Sequence, residues 1–187
     1  MRKFLLKSLI LFFLFTFSLF AQSNEELKKI VDDNIKNINE HIFTYDSSEI
    51  DIFDFSTEGG LAKAFYNNND LVLIKIELFF ELGKIYKDYY FKNNEIIFVL
   101  QQKFAYNRPI YYDEQTAKEN NDNEYFDLNK TIILESKYYF NDNVLIDFIQ
   151  DGKNIKLNNK QEGIQIFNEI NDEIIEILEQ FKNRGFR

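Results

Sequence analysis

The chain has no cysteine, no tryptophan, one proline, one histidine and six glycines in 187 residues. Without cysteine there are no disulfides, thiolate zinc sites, thiol catalysis or Cys-anchored lipid. The single histidine, His41, excludes any multi-histidine metal site. As a general base it would need a nucleophile brought from elsewhere in the fold, so it reads as structural or exposed. Positive charge is also scarce: 22 Lys and Arg stand against 31 Asp and Glu, a formal charge of −9. That balance argues against nucleic acid, whose phosphates need a basic footprint, and against adsorption to anionic lipid. Aromatics are plentiful by contrast, 17% and all Phe or Tyr, which points towards sheet.

The one long apolar run lies at the start. Arg2, Lys3 and Lys7 precede it, residues 9–15 are unbroken apolar, and small Ala21 comes before Gln22 and Ser23. This is the pattern of a secretory signal over 1–21, with Leu19 a poor fit at the −3 position. An uncleaved anchor is the weaker reading, because residues 4–20 are short for a span and include Lys7, Ser8, Thr16 and Ser18. Cleavage removes Arg2, Lys3 and Lys7, so the charge goes from −9 to −12 over the remaining 166 residues. The expectation is an exported single domain over 22–187, periplasmic or extracellular, with no membrane insertion after cleavage.

Ser23 followed by Glu26 makes a capping box, and Leu27, Ile30, Val31, Ile35 and Ile38 share one face of a helix over 23–40. Ile164, Phe167, Ile170, Ile174, Ile177, Leu178 and Phe181 keep the same spacing over about 160–183, with Gly185 as the stop. Both stripes read as core, since carboxylates rather than basic residues flank the second one. Between the helices the period is two. Residues 61–66, 71–80, 84–91, 95–104, 130–140 and 144–149 read as strands, with 50–55 as a seventh. The predicted class is α+β, an antiparallel meander of about six to seven strands over about 50–150, with amphipathic helices at both ends.

The turns repeat. Phe65-Tyr66-Asn67-Asn68-Asn69-Asp70-Leu71-Val72, Tyr90-Phe91-Lys92-Asn93-Asn94-Glu95-Ile96-Ile97 and Tyr139-Phe140-Asn141-Asp142-Asn143-Val144-Leu145-Ile146 align. Each offers Asn or Asp where a two-residue primed hairpin needs positive φ. Tyr66, Phe91 and Phe140 are 25 and 49 residues apart, which suggests one repeat unit missing, its place taken by 106–129. In the strand over 71–80, Val72, Ile74, Ile76, Leu78 and Phe80 share one side; Leu73, Lys75, Glu77 and Phe79 share the other. The expectation is an aliphatic face covered by both helices. A second face, mixing Tyr86, Asp88 and Tyr90 with charges, is expected to be at least partly open.

Segment 106–129 is the least strand-like stretch, yet it is rich in Tyr and Phe that want burial. Arg108 reads as a clamp for a carboxylate or phosphate, or as an internal pin to Asp113 or Glu114. Arg108, Tyr111, Tyr112 and Asp113 are the candidate binding residues. Six carboxylates there lack the glycine and alternation of a calcium loop, so they read as solvated, and no metal or cofactor is expected. Gly59-Gly60 lacks the lysine and helix of a phosphate loop and reads as a turn.

Ser56-Thr57-Glu58-Gly59-Gly60, Tyr89-Tyr90-Phe91-Lys92-Asn93, the run from Tyr106 to Glu114, and Thr116-Ala117-Lys118-Glu119-Asn120 resemble blocks shared by a family of small secreted proteins of Bacteroidota. That family has no assigned activity, so the resemblance implies export and one domain, and no mechanism. The function expected is a non-catalytic binding or structural protein of the cell envelope, with a protein or an envelope glycan as partner. Two alternatives stand beside it. One is an inhibitor or immunity-type protein for a basic partner, steered by the negative charge. The other is a carboxylate-dependent hydrolase of envelope glycans.

Overall fold

The computed structural model describes residues 23–185; the expected leader over 1–21 lies outside the described residues. Chain order is α1 (Asn24–His41), β1 (Asp46–Ile52), β2 (Gly60–Asn67), β3 (Asp70–Phe80), β4 (Gly83–Lys92), β5 (Glu95–Ala105), α2 (Glu114–Glu119), β6 (Ile132–Asn141), β7 (Val144–Gln150), β8 (Lys153–Asn154) and α3 (Lys160–Asn183). The strands form one open antiparallel sheet in sequence order, eight among the described residues. The class is α+β, as the periodicity predicts. The eighth strand arises at Asp151-Gly152, whose φ values of +47° and +76° make a further primed turn.

The helix ends follow from their caps. Ser23 Oγ accepts from the Glu26 N–H at 3.3 Å, while Glu26 Oε2 accepts from the Ser23 N–H at 3.2 Å. Asn159 Oδ1 accepts from the Glu162 N–H at 3.0 Å at the start of α3, and Gly185 ends that helix with φ +83°.

The three Asn-rich repeats are consecutive hairpins: β2–β3, β4–β5 and β6–β7. Both central residues are left-handed in each: Asn68 and Asn69, Asn93 and Asn94, Asp142 and Asn143. Next to every turn the register slips by one residue, between Phe65 and Tyr66, Tyr90 and Phe91, and Tyr139 and Phe140. The slip is a bulge, and it decides what the repeat builds. Tyr66, Phe91 and Phe140 pair with Leu71, Ile96 and Leu145, and all six pack on the α3 side. Phe65, Tyr90 and Tyr139 lie on the α1 side, joined there by the bulged residues Val72, Ile97 and Ile146. One eight-residue unit therefore seats both helices, with the sheet between them.

Three expectations change here. The helices do not share the aliphatic face; α1 covers the tyrosine-bearing face and α3 the other. The physical reason is the bulge, which turns Val72, Ile97 and Ile146 away from α3 and supplies α1 with an apolar seat of its own. No repeat unit is missing either, because β5 pairs directly with β6 and 106–131 is an insertion in that connection. The strand count also rises from the expected six or seven to eight, because left-handed Asp151 and Gly152 turn the chain back into the short β8.

Polar contacts fix each helix across the sheet. On α1, Asn39 Oδ1 and Asp32 Oδ1 accept from the Tyr90 and Tyr139 hydroxyls, both at 3.0 Å, and Lys28 meets Asp147 at 2.6 Å. Burial, and then the Asp88 charge, push the Tyr90 phenol up to about 12. On α3, Glu173 takes Lys87 on both oxygens at 2.6 Å.

Candidate binding surface

On its face of the sheet, α1 crosses only the end where the Asn-rich turns lie. It runs from Ile146, whose carbonyl accepts from Asn24 Nδ2 at 3.1 Å, to the chain's entry into β1 opposite Tyr66. Phe65, Leu73, Tyr90, Phe98 and Tyr139 lie beneath it. The alternation of side chains brings the next residues along each strand to the same face, beyond the helix. The first uncovered row reads Glu49, Lys63, Lys75, Asp88, Leu100 and Lys137; the next reads Leu61, Glu77, Tyr86, Gln102 and Glu135.

Charges in these rows pair across strands and, in β6, along one strand. Lys63 lies 3.6 Å from Glu49, Lys75 lies 3.1 Å from Asp88, and Lys137 lies 2.9 Å from Glu135. Gln102 Nε2 donates to Glu135 Oε2 at 2.9 Å. The Glu77 side chain makes no hydrogen bond or close ion pair with another described residue, though its charge acts on Lys84. Tyr86 meets Phe104 edge-on with ring centroids 5.4 Å apart, and the Lys84 ammonium donates to its hydroxyl. Between β3 and β5 the surface dips into a cavity of about 230 Å³ lined by Lys75, Glu77, Tyr86, Asp88, Leu100 and Gln102. Burial raises the Asp88 carboxyl above the usual carboxylate range, and the charge and hydrogen bond of Lys75 oppose that rise.

The candidate residues of the inserted segment sit elsewhere and are engaged with one another. Arg108 Nη2 meets Asp122 Oδ2 at 2.8 Å and Glu124 Oε2 at 3.8 Å. Its guanidinium lies 5.5 Å from the Tyr112 ring centroid, and the Tyr112 hydroxyl donates to the same Asp122 oxygen at 3.3 Å. Arg108 is thus pinned internally, to Asp122 rather than to Asp113 or Glu114. Asp113 instead caps α2, accepting from the Thr116 N–H at 2.8 Å. Tyr111 is 67% exposed and donates to Glu81 at 2.5 Å, so it lies apart from the other three. Asn107 closes the insertion, donating to the Tyr125 carbonyl at 2.9 Å and accepting from the Asp127 N–H at 3.1 Å.

This arrangement makes the insertion acid-sensitive. The Glu124 N–H, with help from the Arg108 charge and the Tyr112 hydroxyl, holds the Asp122 carboxyl below its ordinary value. A carboxyl lowered by folding stabilises above its unfolded value of about 3.9 and loses that contribution as pH falls through its folded value. Amide exchange over 107–127 is expected to rise in acid while the sheet stays protected. Arg108→Ala is expected to raise it at neutral pH too, with the sheet again unchanged. Exchange followed by mass spectrometry checks both; equal loss of protection in the sheet would show that the insertion is part of the core.

Comparison with protein-family models, curated proteins and solved structures gives no match. What the surface can do follows from its own residues. Among the described residues no group of three or more His, Cys, Asp or Glu is arranged to hold a metal, and no helix is long and apolar enough to cross a membrane. His41 is exposed at the end of α1, its Nδ1 bonded to the Asn37 carbonyl at 2.8 Å. Gly60 approaches backbone rather than a ligand, since a side chain there would run into the Glu77 carbonyl. The uncovered rows instead offer two carboxylates, an ammonium, a carboxamide and a phenol ring within one dip. Such groups can accept from and donate to a polar ligand while a ring covers its apolar side. Alternation alone groups Lys75 with Glu77 and Tyr86 with Asp88, so those pairs were legible. Gln102 and Leu100 were not, because the β4–β5 register that brings them there depends on a bulge.

Proposed function

We propose that this chain is an exported, non-catalytic binding module of the cell envelope that holds a glycan on the uncovered half of the α1 face. The observation that carries this reading is the cavity left beyond α1, where the Glu77 carboxylate stands with no side-chain hydrogen bond or close ion pair beside Tyr86, Asp88 and Gln102. A sugar fits such a surface because its hydroxyls both donate and accept, while one face of its ring is apolar. The resemblance to secreted Bacteroidota proteins supports export, and the acidic charge keeps the module away from anionic surfaces.

The test is an amide-resolved titration with N-acetylglucosamine oligosaccharides. Saturable shifts are expected at residues 75, 77, 86, 88, 100 and 102. Tyr86→Ala and Glu77→Ala are expected to abolish them and leave the thermal melt within a few degrees of the parent. Shifts confined to 106–127 would move the site to the inserted segment. A second reading, a carboxylate-dependent hydrolase, draws on the raised Asp88 carboxyl next to a second carboxylate in a concave site. The same titration separates the two: a binding module returns the oligosaccharide intact, whereas a hydrolase cleaves it and Asp88→Asn stops the cleavage.

A further inference from the structure

A second cavity, unrelated to the glycan reading, lies at the opposite end of the sheet from the Asn-rich turns. It measures about 590 Å³ and is walled by Phe80, Leu82, Ile85, Phe104, Ala105 and Tyr106. Its size falls within the roughly 300–1,000 Å³ of small-ligand sites, and its lining is mostly apolar, as theirs are. It exists because neither helix reaches this corner. Phe80 and Ile85 continue the α3-side core towards the sheet's end, yet Leu82 is left 54% exposed.

Two lysines on neighbouring strands belong to the lining, Lys84 and Lys103: strand alternation puts the Lys103 side chain on the Phe80, Ile85 and Ala105 side and turns that of Lys84 to the opposite face, with Tyr86 and Phe104. Elsewhere in the strand interiors every lysine has a carboxylate: Lys63 has Glu49, Lys75 has Asp88, Lys87 has Glu173 and Lys137 has Glu135. Lys103 is exposed and lacks an ion pair with any described residue, whereas the ammonium of Lys84 is engaged by the Tyr86 hydroxyl, the faces of Tyr86 and Phe104 and the charge of Glu77. In a chain of net charge −9, a strand lysine without a carboxylate at the rim of an apolar cavity is a marked departure. A ligand that completes both features is apolar along its length and anionic at one end. We infer that this cavity binds a single-chain carboxylate, a free fatty acid, with its chain along the Phe80, Ile85 and Ala105 wall and its carboxylate at Lys103.

The experiment is isothermal titration of the folded chain with dodecanoate below its micelle concentration, with amide shifts recorded in parallel. One site per chain is expected, with shifts confined to residues 80–85 and 103–106. Lys103→Glu is expected to weaken binding about tenfold, a charge inversion at a partly desolvated contact. Ala105→Trp, which fills the cavity from its wall, is expected to abolish binding while glycan shifts at residues 77 and 86 persist. The source of the acyl chain is settled by a further arm, in which vesicles of phosphatidylglycerol are expected to leave the chain in the supernatant. The inference is overturned if dodecyltrimethylammonium binds as tightly as dodecanoate, if Ala105→Trp retains binding, or if the vesicles sediment the chain.

Discussion

Phe140→Ala is expected to cost about 3–5 kcal/mol, the range for removing a fully buried ring. Phe140 is 1% exposed and stands at the second aromatic position of the third repeat, where it faces α3. Its ring meets that of Phe167 edge-on, with centroids 5.5 Å apart, and its strand partner is buried Leu145. The same stretch of β7 also receives α3 at Gly163, where a side chain would crowd the Leu145 carbonyl. A cavity at Phe140 therefore loosens the seat of α3 as well as the ring's own contacts, and the helix is too close-fitted there to settle into the space. Urea denaturation checks the effect through its midpoint, with an unchanged slope showing that the same surface is still exposed on unfolding. Tyr66→Ala, at the equivalent position of the first repeat but only half-buried, is expected to cost less. Equal costs at the two positions would mean that burial does not set the effect and that the repeat acts through its turns.

How far the sequence carried this fold can be read from those same repeats. Period-two alternation, the Asn pairs and the two capping signals are local, and they placed both helices and all the longer strands. The assignment of faces needed one more fact. A bulge beside each turn puts two successive aliphatics on different sides from those strict alternation allows, and bulges leave no mark in the pattern of apolar residues. Val72 illustrates it: alternation groups it with Ile74 and Ile76, whereas the slip at Phe65/Tyr66 delivers it to α1. The same slip decides that α1 has a seat at all, and so how much of that face stays open. Site residues suffered differently. Arg108 stands out in composition because arginine is rare here, but rarity does not distinguish a clamp from a pin. Its partner, Asp122, lies fourteen residues away across a loop whose closure through Asn107 no spacing rule reveals. Glu77, Tyr86 and Asp88 are ordinary residues in alternating strands, and only the length of α1 relative to the sheet makes them a surface.

Gly83→Ala is expected to destabilise the chain by about 3 kcal/mol or more, through overlap added to a backbone φ of +159° that non-glycine residues rarely adopt. Gly83 opens β4 opposite Ala105, and the strands approach so closely that an added Cβ would run into the Phe104 carbonyl oxygen. That oxygen belongs to backbone in the middle of the sheet, so it cannot swing aside as a side-chain end could. Relief requires β4 and β5 to part where Glu81 and Leu82 form the turn, and the Leu82 carbonyl that accepts from the Tyr106 N–H at 2.9 Å moves with them. Gly152→Ala supplies the control. Gly152 has φ +76° and nothing within 4 Å of the added atom, so that substitution carries only the left-handed penalty of about 1–2 kcal/mol for a non-glycine residue. Both variants place a side chain at a positive φ, and only Gly83→Ala adds overlap with backbone, so their difference reports the close approach. Calorimetric melts are expected to rank Gly83→Ala well below Gly152→Ala. If both melt alike, the β4–β5 strands part without cost at this end, and the apolar cavity walled by Phe104 and Ala105 has no fixed shape with which to select a ligand.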